Sequence, residues 1–328
     1  MPARIYRGTP RNLARLARKL RAGELVAVPT ETVYGLAADA FSARACRKIF
    51  AAKGRPANDP LIVHIHSRRE LALVAAPNAA ALTLAGKFWP GPLTLVLPKN
   101  PRVPAVVSAG RPSVAVRMPS HPLFRRLLRL SGRPLAAPSA NPFGYVSPTT
   151  AEHVRRGLGK KIRHILDGGP SRIGLESTIV DLRNPRRPRL LRPGAVTRRE
   201  LEAALGMPVA RPPQRPIRKG AMPLAPGLLA RHYSPRTPVK VHARITERAA
   251  ARAPSSEAWL FLARPKRLRG RNIFWLDEGG DLRAAARRLF ALLRSIDEMD
   301  FKKIHVERAV GEGLAEAIND RLKRAASR

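Results

Sequence analysis

A single cysteine in 328 residues, Cys46, rules out an internal disulfide and a thiolate metal cluster. It sits among Ala45, Ile49 and Phe50 in a helical pattern and reads as a packed core thiol. Acidic residues are scarce: 23 Asp plus Glu face 62 Lys plus Arg. Glu31 and Glu176 flank interesting segments but are too few and too separated for a paired-carboxylate mechanism or a two-metal site. The GxGxxG and GxxxxGK[ST] phosphate loops are missing, as are a nucleophile elbow and a cysteine-protease signature. No apolar run approaches a transmembrane span, and Met1-Pro2-Ala3-Arg4 has no signal-like stretch behind it. The expectation is a cytoplasmic protein without membrane contact.

What is abundant is positive charge, +39 in all, spread along the whole chain and not gathered in a tail or one helix. Such a balance attracts polyanions such as RNA or nucleotides. A general bias toward arginine produces the same composition, so charge alone does not define a nucleic-acid-binding protein. With 44% hydrophobic residues the chain can build ordinary cores, and its length favours two domains.

Leu13, Leu16, Ala17 and Leu20 predict a helix stopped by Gly23, followed by a buried strand over Leu25 to Val28. Ser42 caps a predicted helix from Ala43 to Ala52 that ends at Lys53. Strands are expected at Leu61 to Val63, Leu93 to Leu97, Leu135 to Ala137, Ile162 to Leu166, Ser177 to Asp181 and Arg189 to Arg192. Val114, Val116 and Met118 alternate as in a half-buried strand. Helices are expected over Ala79 to Phe88 and Leu123 to Leu130. Thr149 with Glu152, and Thr197 with Glu200, form capping-box patterns for two more. The mix is α/β without clean βαβ periodicity, predicting a twisted mixed sheet over residues 1–206. Residues 207–237, dense in Pro, Arg and Gly, read as a linker long enough to act as a lid or clamp. Residues 238–328 read as a small open α/β, Rossmann-like domain.

Two N-terminal stretches carry the chemistry. Val28-Pro29-Thr30-Glu31-Thr32-Val33-Tyr34-Gly35 is a hydroxyl-rich loop leaving a strand, and Lys53-Gly54-Arg55-Pro56 places two cations on a tight turn that holds them outward. That pair suits phosphate oxygens, the arginine as a fork and the lysine as a point charge. Asn58 either assists them or caps a turn. Pro138-Ser139-Ala140-Asn141-Pro142 offers uncharged donors and acceptors; Ser139 and Asn141 equally suit a local Ser or Asx turn. Ser147 lies on another proline-bounded loop, and Arg192 closes a strand from which it could reach the same ligand. Thr32, His64, Arg117 and Ser177 form a second set, with Arg117 a carboxylate clamp and His64 either structural or functional. Transfer by positioning and electrostatics is the chemistry these residues allow.

These motifs, together with Gly174-Leu175-Glu176-Ser177-Thr178-Ile179-Val180-Asp181 and Leu191-Arg192-Pro193-Gly194-Ala195, resemble the YrdC/YwlC family in order and spacing from about Leu13 to Gly206. Ala225-Pro226-Gly227 and Arg231-His232-Tyr233-Ser234-Pro235 resemble its long, two-domain threonylcarbamoyl-AMP synthase form, whose linker crosses the catalytic mouth. The linker departs from the family pattern at Ala225, at the apolar Leu228 to Ala230 and at Ser234. The resemblance implies an adenylate-forming nucleotidyltransferase that makes L-threonylcarbamoyladenylate from L-threonine, bicarbonate or CO2, and ATP. Other enzymes then pass the group to adenosine 37 of tRNA. It implies Lys53, Arg55, Ser139 and Asn141 as the catalytic set. Asn58, Ser113, Ser147, Arg192 and His232 join them as nucleotide contacts, while Thr32, His64, Arg117, Ala137 and Ser177 surround threonine. Mg²⁺ would arrive with ATP, held mainly by its phosphates, with no protein metal site and no tightly bound organic cofactor. The expected partners are these substrates and the downstream threonylcarbamoyl-transferase machinery, with direct tRNA contact left open. A basic RNA-binding or ribosome-associated protein is the alternative from another class. A hydrogenase-maturation type of carbamoyl transfer is disfavoured by the lack of zinc-finger cysteines.

Overall fold

The computed structural model describes residues 2–211, 223–227 and 233–327. Ten short strands form one sheet: β1 (Arg4–Tyr6), β2 (Val26–Val28), β3 (Gly35–Asp39), β4 (Ile62–His64), β5 (Leu93–Pro98), β6 (Ser113–Arg117), β7 (Leu135–Ala136), β8 (His164–Leu166), β9 (Thr178–Asp181) and β10 (Arg189–Arg192). Their order is β1-β8-β2-β3-β7-β4-β6-β5-β9-β10. Parallel and antiparallel neighbours mix: β4 runs parallel to β6, which is antiparallel to β5, which is parallel to β9. A second sheet holds β11 (Val239–His242), β12 (Glu257–Ala263), β13 (Ile273–Asp277) and β14 (Lys303–Glu307), all parallel in the order β11-β14-β12-β13. The fold is therefore α/β, a mixed sheet followed by a small parallel one.

Local chemistry sets the helices that matter for the site. Thr9 caps the helix Pro10–Arg21, and Leu13, Leu16, Ala17 and Leu20 form its one buried stripe. Ser42 caps Ala43–Lys53, and Gly54 ends it in the left-handed region at φ 63°, a conformation that costs glycine least. The reciprocal capping box of Thr197 and Glu200 starts Arg198–Leu205. The other expected box is displaced by one residue. Thr150, not Thr149, accepts from His153 N and starts Ala151–Leu158, while the Thr149 side chain meets the His153 ring. β6 also differs from expectation: all five of its residues are buried, because both faces of the sheet are covered there.

The two sheets share apolar material. Val33, Val146 and Leu175, from loops of the large sheet, lie in one cluster with Tyr233, Leu260, Phe290 and Ile318. Arg294 of the helix Leu282–Asp297 donates to the carbonyls of Val146 and His153 at 2.7 and 3.0 Å. Gly174, at φ 80°, passes so close that a Cβ would stand 2.5 Å from the Arg287 backbone. Among the described residues no helix is long and apolar enough to cross a membrane.

Candidate active site

The helix Ala43–Lys53 delivers Lys53 and Arg55 inward, not outward as the turn alone suggests; both are buried. Lys53 Nζ donates to the main-chain carbonyls of Ser139 and Asn141, joining two motifs that are almost ninety residues apart. Arg55 donates to the carbonyls of Asp59 (3.0 Å) and Pro60 (2.7 Å) and pairs with the Asp59 carboxylate at 2.9 Å. A buried cation requires such partners, and Asp59 supplies the counter-charge that turns the segment in. Burial, reinforced by Arg55, pushes the Lys53 ammonium well below the ordinary lysine range, with Asp59 working against it. Asn141 makes a local turn, its amide donating to the carbonyls of Pro142 and Tyr145 at 2.9 and 2.8 Å.

A second wall comes from the β2–β3 loop and from the ends of β4 and β6. Arg117 pairs with Glu31 at 2.7 Å and donates to Thr32 Oγ1 at 2.8 Å and to the Gly91 carbonyl at 3.2 Å. Burial opposes charge on Glu31, but Arg117 outweighs it and holds the carboxyl below its usual range. His64 stands directly opposite Arg117 in the register of β4 and β6. Burial first, and the Arg117 charge second, depress its pKa to about 3, so its imidazole is neutral. The ring packs on Phe124.

A third wall joins β9, β10 and the described residues Pro226, Gly227 and Tyr233. Arg192 donates to the Ser177 carbonyl (3.0 Å), to Ser177 Oγ (3.1 Å), to the Pro226 carbonyl (3.2 Å) and to the Tyr233 hydroxyl (3.5 Å). Gly227, at φ 77°, leaves no room for a side chain: its Cβ would stand 2.6 Å from the Tyr233 hydroxyl. Pro226, Gly227 and Tyr233 thus line the cleft beside Arg192.

These walls line a partly open cleft whose water-accessible volume is about 40 Å³. Of the residues singled out in the sequence, Thr32, Arg55, His64, Arg117, Ala137, Ser139, Ser177 and Arg192 line it. Lys53 and Asn141 stand behind Ser139. Ser147 lies behind Glu176, donating to its carboxylate at 2.6 Å. Asn58 is half-buried beside Asp59, and Ser113 is buried at the start of β6; neither lines the cavity. His232 lies outside the described residues. Sequence reasoning gave no role to Asp59 or Tyr233 and set Glu176 aside as a flanking residue. The Arg55-to-Asp59 spacing was the one signal available for Asp59.

Two family models match the chain in succession. Residues 18–194 match the Sua5/YciO/YrdC family model, described as "Telomere recombination". Residues 196–327 match the model for the threonylcarbamoyl-AMP synthase C-terminal domain. The threonylcarbamoyl-AMP synthase of Pyrococcus abyssi is 42% identical over 317 residues, covering 93% of this chain and 91% of that one. Its Bacillus subtilis counterpart is 39% identical over 335 residues, covering 96% and 92%. The crystal structure of P. abyssi Sua5 complexed with L-threonine superposes with a TM-score of 0.91 at 38% identity, covering 99% of this chain and 98% of that one.

Proposed function

We propose, from the premise that this chain belongs to the Sua5/YrdC family of two-domain threonylcarbamoyl-AMP synthases, that this cleft is where its reaction occurs. The activity is adenylate-forming nucleotidyl transfer: L-threonine, bicarbonate or CO2, and ATP give threonylcarbamoyl-AMP and pyrophosphate for tRNA modification. One observation carries the assignment of the site. A single cavity joins an amino-acid wall of Thr32, His64, Arg117 and Ser177 to a cationic wall of Arg55 and Arg192. We divide the chain at 1–206, 207–237 and 238–328 into catalytic domain, linker and C-terminal domain.

In this reading Arg117 receives the threonine carboxylate, with Glu31 and Thr32 fixing its fork. Ala137 shapes the apolar wall. His64, neutral and buried, exchanges a hydrogen bond but is a poor store for a proton. The threonine amine, once neutral, adds to CO2 and loses a proton, giving a carbamate. A carbamate oxygen then bonds to the α-phosphorus as the α–β bridging bond breaks and pyrophosphate leaves. Arg55 and Lys53 offset the charge of that leaving group; Lys53 exchanges its two carbonyls for phosphate oxygens when nucleotide enters. Ser139, Asn141, Asn58, Ser113, Ser147, Arg192 and His232 complete the nucleotide side. Mg²⁺ enters as part of the substrate, Mg·ATP, held by phosphate and water. The nearby carboxylates of Glu31, Asp59 and Glu176 are each already paired with an arginine. ATP far exceeds the room available, so Pro226, Gly227 and Tyr233 move aside for entry and exit. Threonylcarbamoyl transfer to tRNA falls to downstream partners.

The test is pyrophosphate release from Mg·ATP with and without threonine and bicarbonate, beside Lys53→Ala and Arg55→Ala. Release is expected to require both co-substrates and to fall at least about a hundredfold in each variant, the scale of one lost transition-state contact. Release that ignores threonine would end this reading.

A further inference from the structure

Arg321 of the helix Leu314–Ala326 is the bulkiest fully buried side chain among the described residues. It comes from the far end of the chain, beside the apolar Ile318 and Leu322 of its own helix. Its Nε donates to Glu176 Oε2 at 2.8 Å and a second nitrogen to the Glu176 carbonyl at 3.4 Å. A third contact, to the Asp320 carboxylate at 2.7 Å, completes its charge balance. The guanidinium carbon lies 5.5 Å from the centre of the Tyr233 ring. Glu176 and Tyr233 both line the cavity, and the other Glu176 oxygen accepts from Ser147 at 2.6 Å.

We infer that Arg321 is a positioning residue of the synthase, through which the C-terminal domain sets the nucleotide side of the site. One buried fork orients the Glu176 carboxylate that holds Ser147, and lies against the Tyr233 ring whose hydroxyl meets Arg192. Burying a guanidinium is unfavourable unless its geometry is fully satisfied, and an apolar residue would pack this position more simply. A device that only glued the two sheets together has no need to aim at a cavity-lining carboxylate. On the threonine side Arg321 touches none of Arg117, Thr32 and His64, and reaches Ser177 only indirectly, through the Glu176 carbonyl and through Arg192. The inference rests on the proposed roles of Ser147 and Arg192 as nucleotide contacts.

The experiment measures KM for ATP and for threonine separately, and the Kd of a non-hydrolysable ATP analogue by calorimetry. The proteins are wild type, Arg321→Lys, Arg321→Met, and Arg321→Met combined with Glu176→Gln. The double variant leaves no orphaned carboxylate and guards against simple misfolding. The ATP KM and analogue Kd are expected to rise about tenfold or more in both Met proteins, the scale of one charge-assisted hydrogen bond, with the threonine KM within about twofold. Lysine is expected to recover part of the loss, having the charge without the fork. A folded double variant with wild-type ATP KM and Kd overturns the inference and leaves Arg321 as a docking pin; an equal rise in both KM values does the same. If wild type binds the analogue but shows no threonine-dependent release, the functional reading fails while the Kd series still decides Arg321. If wild type binds no analogue, both fail.

Discussion

Histidine 64 shows how burial decides chemistry at the scale of one side chain. Its folded-state pKa of about 3 lies below the ordinary 6.5 because the ring is desolvated and faces Arg117. Above pH 6.5 the imidazole is neutral in folded and unfolded chains and contributes no pH dependence. Between pH 6.5 and about 3 the unfolded chain takes up a proton that the folded chain refuses, so stability falls as pH falls. At pH 5 the loss is on the order of 2 kcal/mol. Urea titrations at pH 7.5 and 5 are expected to show wild type losing about that much more than His64→Gln; parallel losses would remove His64 as the cause. Arg117 was legible in the sequence because a cation interrupts an apolar strand, and Lys53 and Arg55 because a turn constrained by Gly54 and Pro56 carries two cations. Their inward direction was not legible: it depends on Asp59 and on carbonyls of Ser139 and Asn141 that arrive only with the fold.

Among the elements, those with strong periodicity or clear caps were readable. The helices Pro10–Arg21, Ala43–Lys53 and Ala79–Phe88 stand where the pattern put them. β3 was not foreseen because Gly35-Leu36-Ala37-Ala38-Asp39 contains no β-branched or aromatic residue. Its small side chains are suited to a crowded centre, where Gly35 has Ala137 Cβ at 3.3 Å from its own missing Cβ. β1 and β11 were missed as short, partly exposed strands. The shifted cap at Thr150 gives a direct check. Thr150→Ala is expected to cost about 1 kcal/mol and Thr150→Ser very little, read from urea midpoints. A silent Thr150→Ala would return the capping role to Thr149.

Over the whole molecule 62 basic residues face 23 acidic ones, and among the described residues few of the basic ones are buried. Among the described residues the buried arginines are Arg55, Arg117, Arg192, Arg294 and Arg321, and each is held by protein acceptors. The remaining charge repels itself in the compact state and relaxes as the chain expands. Salt shortens that repulsion, with a screening length of about 10 Å at 0.1 M. The melting temperature is therefore expected to rise between about 20 mM and about 300 mM NaCl. A fall over that range would mean that attractive ion pairs dominate.

The narrow cleft beside Pro226, Gly227 and Tyr233 has a consequence for yield. A carbamate is short-lived in bulk solvent, and an activated phosphoanhydride is open to hydrolysis. If the site closes as tightly over its substrates, little water is left to intercept either species, and most nucleotide consumed is expected to end as product. The fidelity of such an enzyme is its coupling ratio, product delivered per ATP cleaved. In this chain the ratio is expected to depend on Gly227, which has no room for a methyl group, and on Tyr233, against which Arg321 lies from the opposite end of the polypeptide.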